Sequence, residues 1–96
     1  MIRKAKIGDV KDIQKLLMTF ANRGDMLSRS LSELYESLRD FYVFEEEGKL
    51  LGAAALHIVW DDLAEVRSVA VTEDAGRKGI GSQLVQACIA EARQIG

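Results

Sequence analysis

Leu63-Ala64-Glu65-Val66-Arg67-Ser68-Val69-Ala70-Val71 decides the reading, because shortly after it comes Gly76-Arg77-Lys78-Gly79-Ile80-Gly81-Ser82. The first stretch reads as a strand. The second leads into an amphipathic helix from about Ser82, with Leu84, Val85, Cys88, Ala92 and Ile95 on its inner face. Glycines let successive backbone N–H groups turn toward one point without interference from Cβ. The helix start adds unpaired donors and a positive dipole end, so an anion is favoured there. Arg77 and Lys78 bring two cations to the same place. A pyrophosphate is the natural guest, and a glycine turn that only opens a helix is the plainer alternative. On the first reading a side chain at Gly81 obstructs backbone approach.

Two common nucleotide patterns fit poorly. Gly76 and Gly81 have Walker spacing, but Ser82-Gln83 stand where its Lys-Ser/Thr is needed. A Gly-x-Gly-x-x-Gly series from Gly79 requires a third glycine at Leu84, and a parallel βαβ setting.

Upstream, residues 41–45 are aromatic and β-branched, Glu47-Gly48 is a turn, and residues 49–60 form a long apolar run. Asp61-Asp62 makes the next turn, so three strands form an antiparallel meander. Further toward the start, Ser30 and Glu33 form a capping-box pattern that opens a short helix with Leu31, Leu34, Tyr35 and Leu38 on one face. Before it, Val10, Ile13, Leu17 and Phe20 recur at helical spacing, with Gly8-Asp9 as turn and cap and Gly24 as stop. Residues 2–7 give a weak strand signal. The order is strand, two helices, three strands and a helix: an α+β layer design over one domain, residues 1–96.

Composition narrows the function. Lys+Arg 13 against Asp+Glu 15 gives a net charge of −2, so there is no bulk basic field for nucleic acid. One cysteine makes neither an internal disulfide nor a thiolate metal site, and a reducing cytoplasm fits best. No segment reaches the roughly 18 apolar residues of a membrane span. Cys88, on an apolar face, reads as a small buried hydrophobe, and Trp60 as an edge or turn anchor. His57 lies mid-strand in an apolar run. It reads as structural or cleft-lining, with a base role as the alternative, and one histidine is no metal site.

The stretch Ala64-Glu65-Val66-Arg67-Ser68-Val69-Ala70-Val71 with Gly76-Arg77-Lys78-Gly79-Ile80-Gly81-Ser82-Gln83-Leu84-Val85 resembles the GNAT family of acetyl-CoA-dependent N-acetyltransferases. It is similar to that family's fourth strand, pyrophosphate loop and third helix, whose loop pattern is Gln/Arg-x-x-Gly-x-Gly/Ala. Gly79 and Gly81 match, while Gly76 stands at the first position and Arg77 follows it. Residues 26–31, with Leu34-Tyr35, Asp40-Phe41 and Gly52-Ala53-Ala54-Ala55-Leu56-His57, look like the amino-acid acetyltransferases of arginine biosynthesis, the N-acetylglutamate synthase type.

The resemblance implies a GNAT-like mixed sheet, here an antiparallel meander with helices on its faces, and acetyl-CoA as cosubstrate with no metal. It implies pantetheine pairing along the backbone of Val69 and Val71, and pyrophosphate binding by Gly76, Arg77, Lys78, Gly79, Gly81 and Ser82. Glu65 takes the place of an acidic general base, often acting through water. Arg67 shares its strand face, lowers a carboxylate's pKa unless burial offsets it, and also fits a plain surface ion pair with Glu65. Arg29 is similar to an arginine that grips a substrate carboxylate, with Arg67 as a second substrate-side cation; a guanidinium fork suits that geometry. The implied acceptor is the amine of an acidic amino acid such as glutamate, attacking directly. A module that binds acyl-CoA or a protein partner without transfer is the alternative. Family members continue with a fifth strand, another helix and a closing hairpin, so the 96-residue chain is expected to lack the C-terminal strands. It is then expected to self-associate through the uncovered edge of the Leu63–Val71 strand.

Overall fold

The computed structural model describes residues 1–22, 30–72 and 79–95, with the side chains of residues 20–22 left aside. Its sheet has the order β1-β2-β3-β4, formed by Ile2–Lys4, Phe41–Glu46, Lys49–Trp60 and Leu63–Val71. Every neighbouring pair is antiparallel. Helices α1 (Val10–Asn22) and α2 (Leu31–Glu36) pack on one face, and α3 (Ile80–Ile95) on the other.

The two faces follow from strand alternation. On β3, Ala53 and Ala55 join Val10, Ile13, Leu17 and Leu34 in the core beneath α1 and α2. Ala54 and Leu56 join Ile80, Leu84 and Cys88 beneath α3. Small residues on β3 let both layers come close. At Gly52 an added Cβ would lie 2.9 Å from Leu84 Cδ1 and 3.1 Å from Ile80 Cγ2, so α3 sits against bare backbone there.

Turn chemistry sets the strand ends. Glu47 (φ 52°) and Gly48 (φ 77°) both take left-handed conformations, as a two-residue hairpin turn demands. The expected box at α2 forms: Ser30 Oγ accepts from the Glu33 N–H at 3.1 Å, and the Glu33 carboxylate accepts from the Ser30 N–H at 3.2 Å.

Several expectations change. Strand β1 stops at Lys4, and a 3-10 turn over Ile7–Asp9 leads into α1. The Asp9 carboxylate turns back to accept from Arg3 at 2.7 Å and from the Lys6 N–H at 2.7 Å, so it fastens the preceding segment. Helix α2 ends at Glu36, leaving Leu38 in a second 3-10 turn, and Tyr35 is exposed. Helix α3 begins at Ile80, which is fully buried, and Ile95 points outward at 59% exposure. Gly24 lies outside the described residues.

Candidate active site

Strand β4 is an edge strand among the described residues, and it is interrupted. Ala53 pairs with Ala70 and Ala55 with Arg67, so Ser68 and Val69 together face the single residue Ala54. This is a β-bulge, and Ser68 occupies its left-handed position at φ 57°, where glycine is the easier residue. The extra residue shifts the alternation. Upstream, Glu65 and Arg67 lie on the α1–α2 face, opposite His57 and Ala55; downstream, Ala70 takes that face while Val69 and Val71 pack toward α3.

The same strand end supplies two further features. Thr72, whose N–H donates to the Leu51 carbonyl at 2.9 Å, buries its Oγ1 with no hydrogen-bond partner among the described residues. It lies on the wall of a cleft of about 720 Å³ together with Lys15 and Lys49. Gly79 has φ 70° and open space where a Cβ would be, so its conformation, not crowding, calls for glycine. Gly81 lies inside the first turn of α3, and an added Cβ there would sit 3.5 Å from Val71 Cγ2, an ordinary contact. Ser82 is exposed in the same turn. Gly76, Arg77 and Lys78 lie outside the described residues, as does Arg29.

On the α1–α2 face, Glu65 Oε1 stands 3.6 Å from Arg67 Nη1, with side-chain exposures of 56% and 39%. Across the ladder His57 is paired with Glu65. The His57 ring Nδ1 lies 3.0 Å from Asp40 Oδ2, a partner that no local sequence signal marks. Asp40, His57, Glu65 and Arg67 thus form one row of ionisable groups across the open end of the sheet.

A second set of ionisable groups gathers toward β1 and β2. The Arg3 guanidinium holds Asp9 below the usual carboxylate range, and Arg3 is itself raised by its bonds to Asp9 and Glu45. Burial and a hydrogen bond to Glu91, 2.6 Å long, push Tyr42 up to about 12. That bond holds Glu91 below its usual range, against the opposing effect of burial. Lys4 sits 4.6 Å above the Tyr42 ring, bonds Glu91 at 3.3 Å and donates to the Arg39 carbonyl. Burial pushes the Cys88 thiol up, which keeps it neutral and suits a packing role. Among the described residues no three His, Cys, Asp or Glu groups are placed to hold a metal, and no helix is long and apolar enough to cross a membrane.

Comparison with known proteins adds a family and a set of relatives. Residues 10–96 match the family model described as Acetyltransferase (GNAT) family. An amino-acid acetyltransferase of Mycobacterium tuberculosis is 37% identical over 98 residues, which is 99% of this chain and 56% of the relative. A crystal structure of N-acetylglutamate synthase from Neisseria gonorrhoeae, complexed with coenzyme A and N-acetyl-glutamate, superposes with a TM-score of 0.96 at 34% identity. It matches all of this chain and 23% of that one. A Mycobacterium tuberculosis protein solved in complex with CoA superposes at 0.93 with 37% identity, over 99% of this chain and 58% of that one. The chain therefore spans about half the length of the M. tuberculosis relative and under a quarter of the synthase.

Proposed function

The chain belongs to the acetyltransferase (GNAT) family, and from that premise we propose that it forms the acetyl-CoA-binding and acceptor-facing part of an amino-acid N-acetyltransferase acting on glutamate. The observation that carries this reading is the bulged edge strand β4 leading toward the glycine-started helix α3. The residues present fit the cosubstrate. Among the described residues the outer edge of β4 is open and suits an extended amide-bearing arm, Gly79 supplies a left-handed turn before α3, and Thr72 Oγ1 is a buried polar atom without a partner. Acetyl-CoA supplies the activated acetyl thioester.

The chain's own residues do the rest. Outward backbone groups at Val69 and Val71 extend the sheet onto the amide arm, and a β4 amide donates to the carbonyl oxygen where negative charge develops. Amides of residues 76–82, with the Arg77 and Lys78 cations, hold a pyrophosphate. Glu65 takes a proton from the acceptor ammonium, directly or through water, and the freed amine attacks without a covalent enzyme intermediate. Arg29 and Arg67 engage the acceptor's carboxylates. Such a reaction serves amino-acid biosynthesis, and the single buried cysteine suits a reducing cytoplasm.

Calorimetric titration with CoA, followed by a thiol-release assay with acetyl-CoA over a panel of amino acids, tests the proposal. The 96-residue chain is expected to bind CoA without appreciable thiol release, and to gain glutamate-dependent release when the family's second half is supplied, fused or as a separate chain. Binding without release for any acceptor in the completed protein identifies a CoA-binding module, and absence of binding removes the reading altogether.

A further inference from the structure

The sequence contains one histidine, and the structure bonds it to the Asp40 carboxylate and sets it opposite Glu65 in the β3–β4 ladder. On one side, His57 Nδ1 meets Asp40 Oδ2 at 3.0 Å, from the 3-10 turn Leu38–Asp40. On the other, His57 is the ladder partner of Glu65 on β4. Directly opposed residues of an antiparallel pair hold their Cβ atoms about 4.5–5.5 Å apart on one face of the sheet. An aspartate is an acceptor only, so the Asp40 bond puts the ring's proton on Nδ1 and leaves Nε2 with a free lone pair. Imidazole geometry points Nε2 away from Asp40.

We propose that Asp40 and His57 act as a positioning and relay pair for Glu65. This rests on the reading of Glu65 as the base that accepts the acceptor's proton. The proton leaves the substrate ammonium for the Glu65 carboxylate. It passes from the resulting carboxylic acid to Nε2 of neutral His57, regenerating the carboxylate. The imidazolium keeps its Nδ1–H on Asp40 and releases the Nε2 proton to water. No electrons are transferred, and the amine is left with the lone pair that attacks the thioester. His57 is 40% and Asp40 28% exposed at the side chain, so the far end of the relay opens to solvent. The charged groups of the neighbouring elements are Arg39 and Asp40 on the 3-10 turn and Glu65 and Arg67 on β4. Arg67 Nη1 stands 3.6 Å from Glu65 Oε1.

Because the chain has a single histidine, its ring nitrogens give an unambiguous nitrogen-15 NMR signal in the 96-residue protein. The neutral ring is expected to carry its proton on Nδ1, and Asp40→Ala should return it to the Nε2–H form that free histidine prefers. A neutral Nε2–H ring in the parent would overturn the proposal. In the active enzyme, His57→Asn keeps a donor for Asp40 at the Nδ1 position but cannot carry a proton. It should lower kcat by about 10²-fold with little change in either KM, and abolish the limb of the pH–rate profile due to imidazole protonation. An unchanged limb with parental kcat would equally overturn it, since a packing ring has no reason to appear in that profile. Parental turnover in Glu65→Gln would overturn the base assignment and the relay with it, while leaving the tautomer intact. The two failures are thus told apart.

Discussion

Two glycines two positions apart carry opposite requirements. Gly79 holds φ 70° with open space around it, so Gly79→Ala forces a methyl-bearing residue into the left-handed region, at about 1–2 kcal/mol. Gly81 is helical and an added Cβ would make an ordinary 3.5 Å contact with Val71, so Gly81→Ala should leave stability unchanged or raise it by up to about 1 kcal/mol. Urea melts of both variants check the pair; equal losses would contradict the assignment. Asp9 supplies a pH test. Its folded pKa is depressed by Arg3, so its contribution is present above the unfolded value near 4 and disappears as pH falls through the lower folded value. Asp9→Asn should therefore be less stable at neutral pH and lose less stability on acidification than the parent, read as urea midpoints between neutral and acid pH.

At the level of elements, the docking of α3 depends on the missing side chain of β3. Gly52→Ala drives a methyl to within 2.9 Å of Leu84 and 3.3 Å of the Ala70 carbonyl, an overpacked core contact worth about 1–3 kcal/mol. A thermal melt should record that loss, and the same substitution at Gly81 should not. Strands β3 and β4 were legible from sequence at both ends, because Glu47-Gly48 and Asp61-Asp62 are turn pairs that punctuate apolar runs. The capping box was legible for a similar reason: its two partners lie three residues apart and interact locally. The bulge at Ser68 was not, since Ser68-Val69 carries no glycine, and only pairing on either side forces two residues opposite Ala54. The His57–Asp40 contact was hidden too. It spans 17 residues and comes from a 3-10 turn that replaces the last turn of the expected helix. Ile95 kept helical periodicity to the end of α3 but stays exposed, on the wall of a cleft it shares with Ile58 and Trp60 of β3.

For the whole molecule, apolar surface gathers at the end of the β3–β4 hairpin. Ile58, Trp60 and Leu63 are exposed there, and with Ala64, Ala92 and Ile95 they line a cleft of about 350 Å³ beside the β4 edge. An unpaired strand edge flanked by such a surface favours pairing with a second copy. The 96-residue chain by itself should sediment as a concentration-dependent oligomer, and a lysine introduced at Trp60 should shift it toward monomer. A strict monomer at high concentration would count against the pairing.

The bulge in β4 has a consequence in the time domain. Along an edge strand, backbone amides alternate between those bonded to the neighbouring strand and those turned outward, and the outward ones exchange with deuterated solvent faster. An inserted residue shifts that rhythm by one position. Deuterium uptake along Leu63–Val71 should therefore alternate fast and slow from residue to residue and then skip a beat at Ser68 and Val69. Where the rhythm breaks, an outward amide has no alternating neighbour, and a ligand seated against the strand would slow that position first.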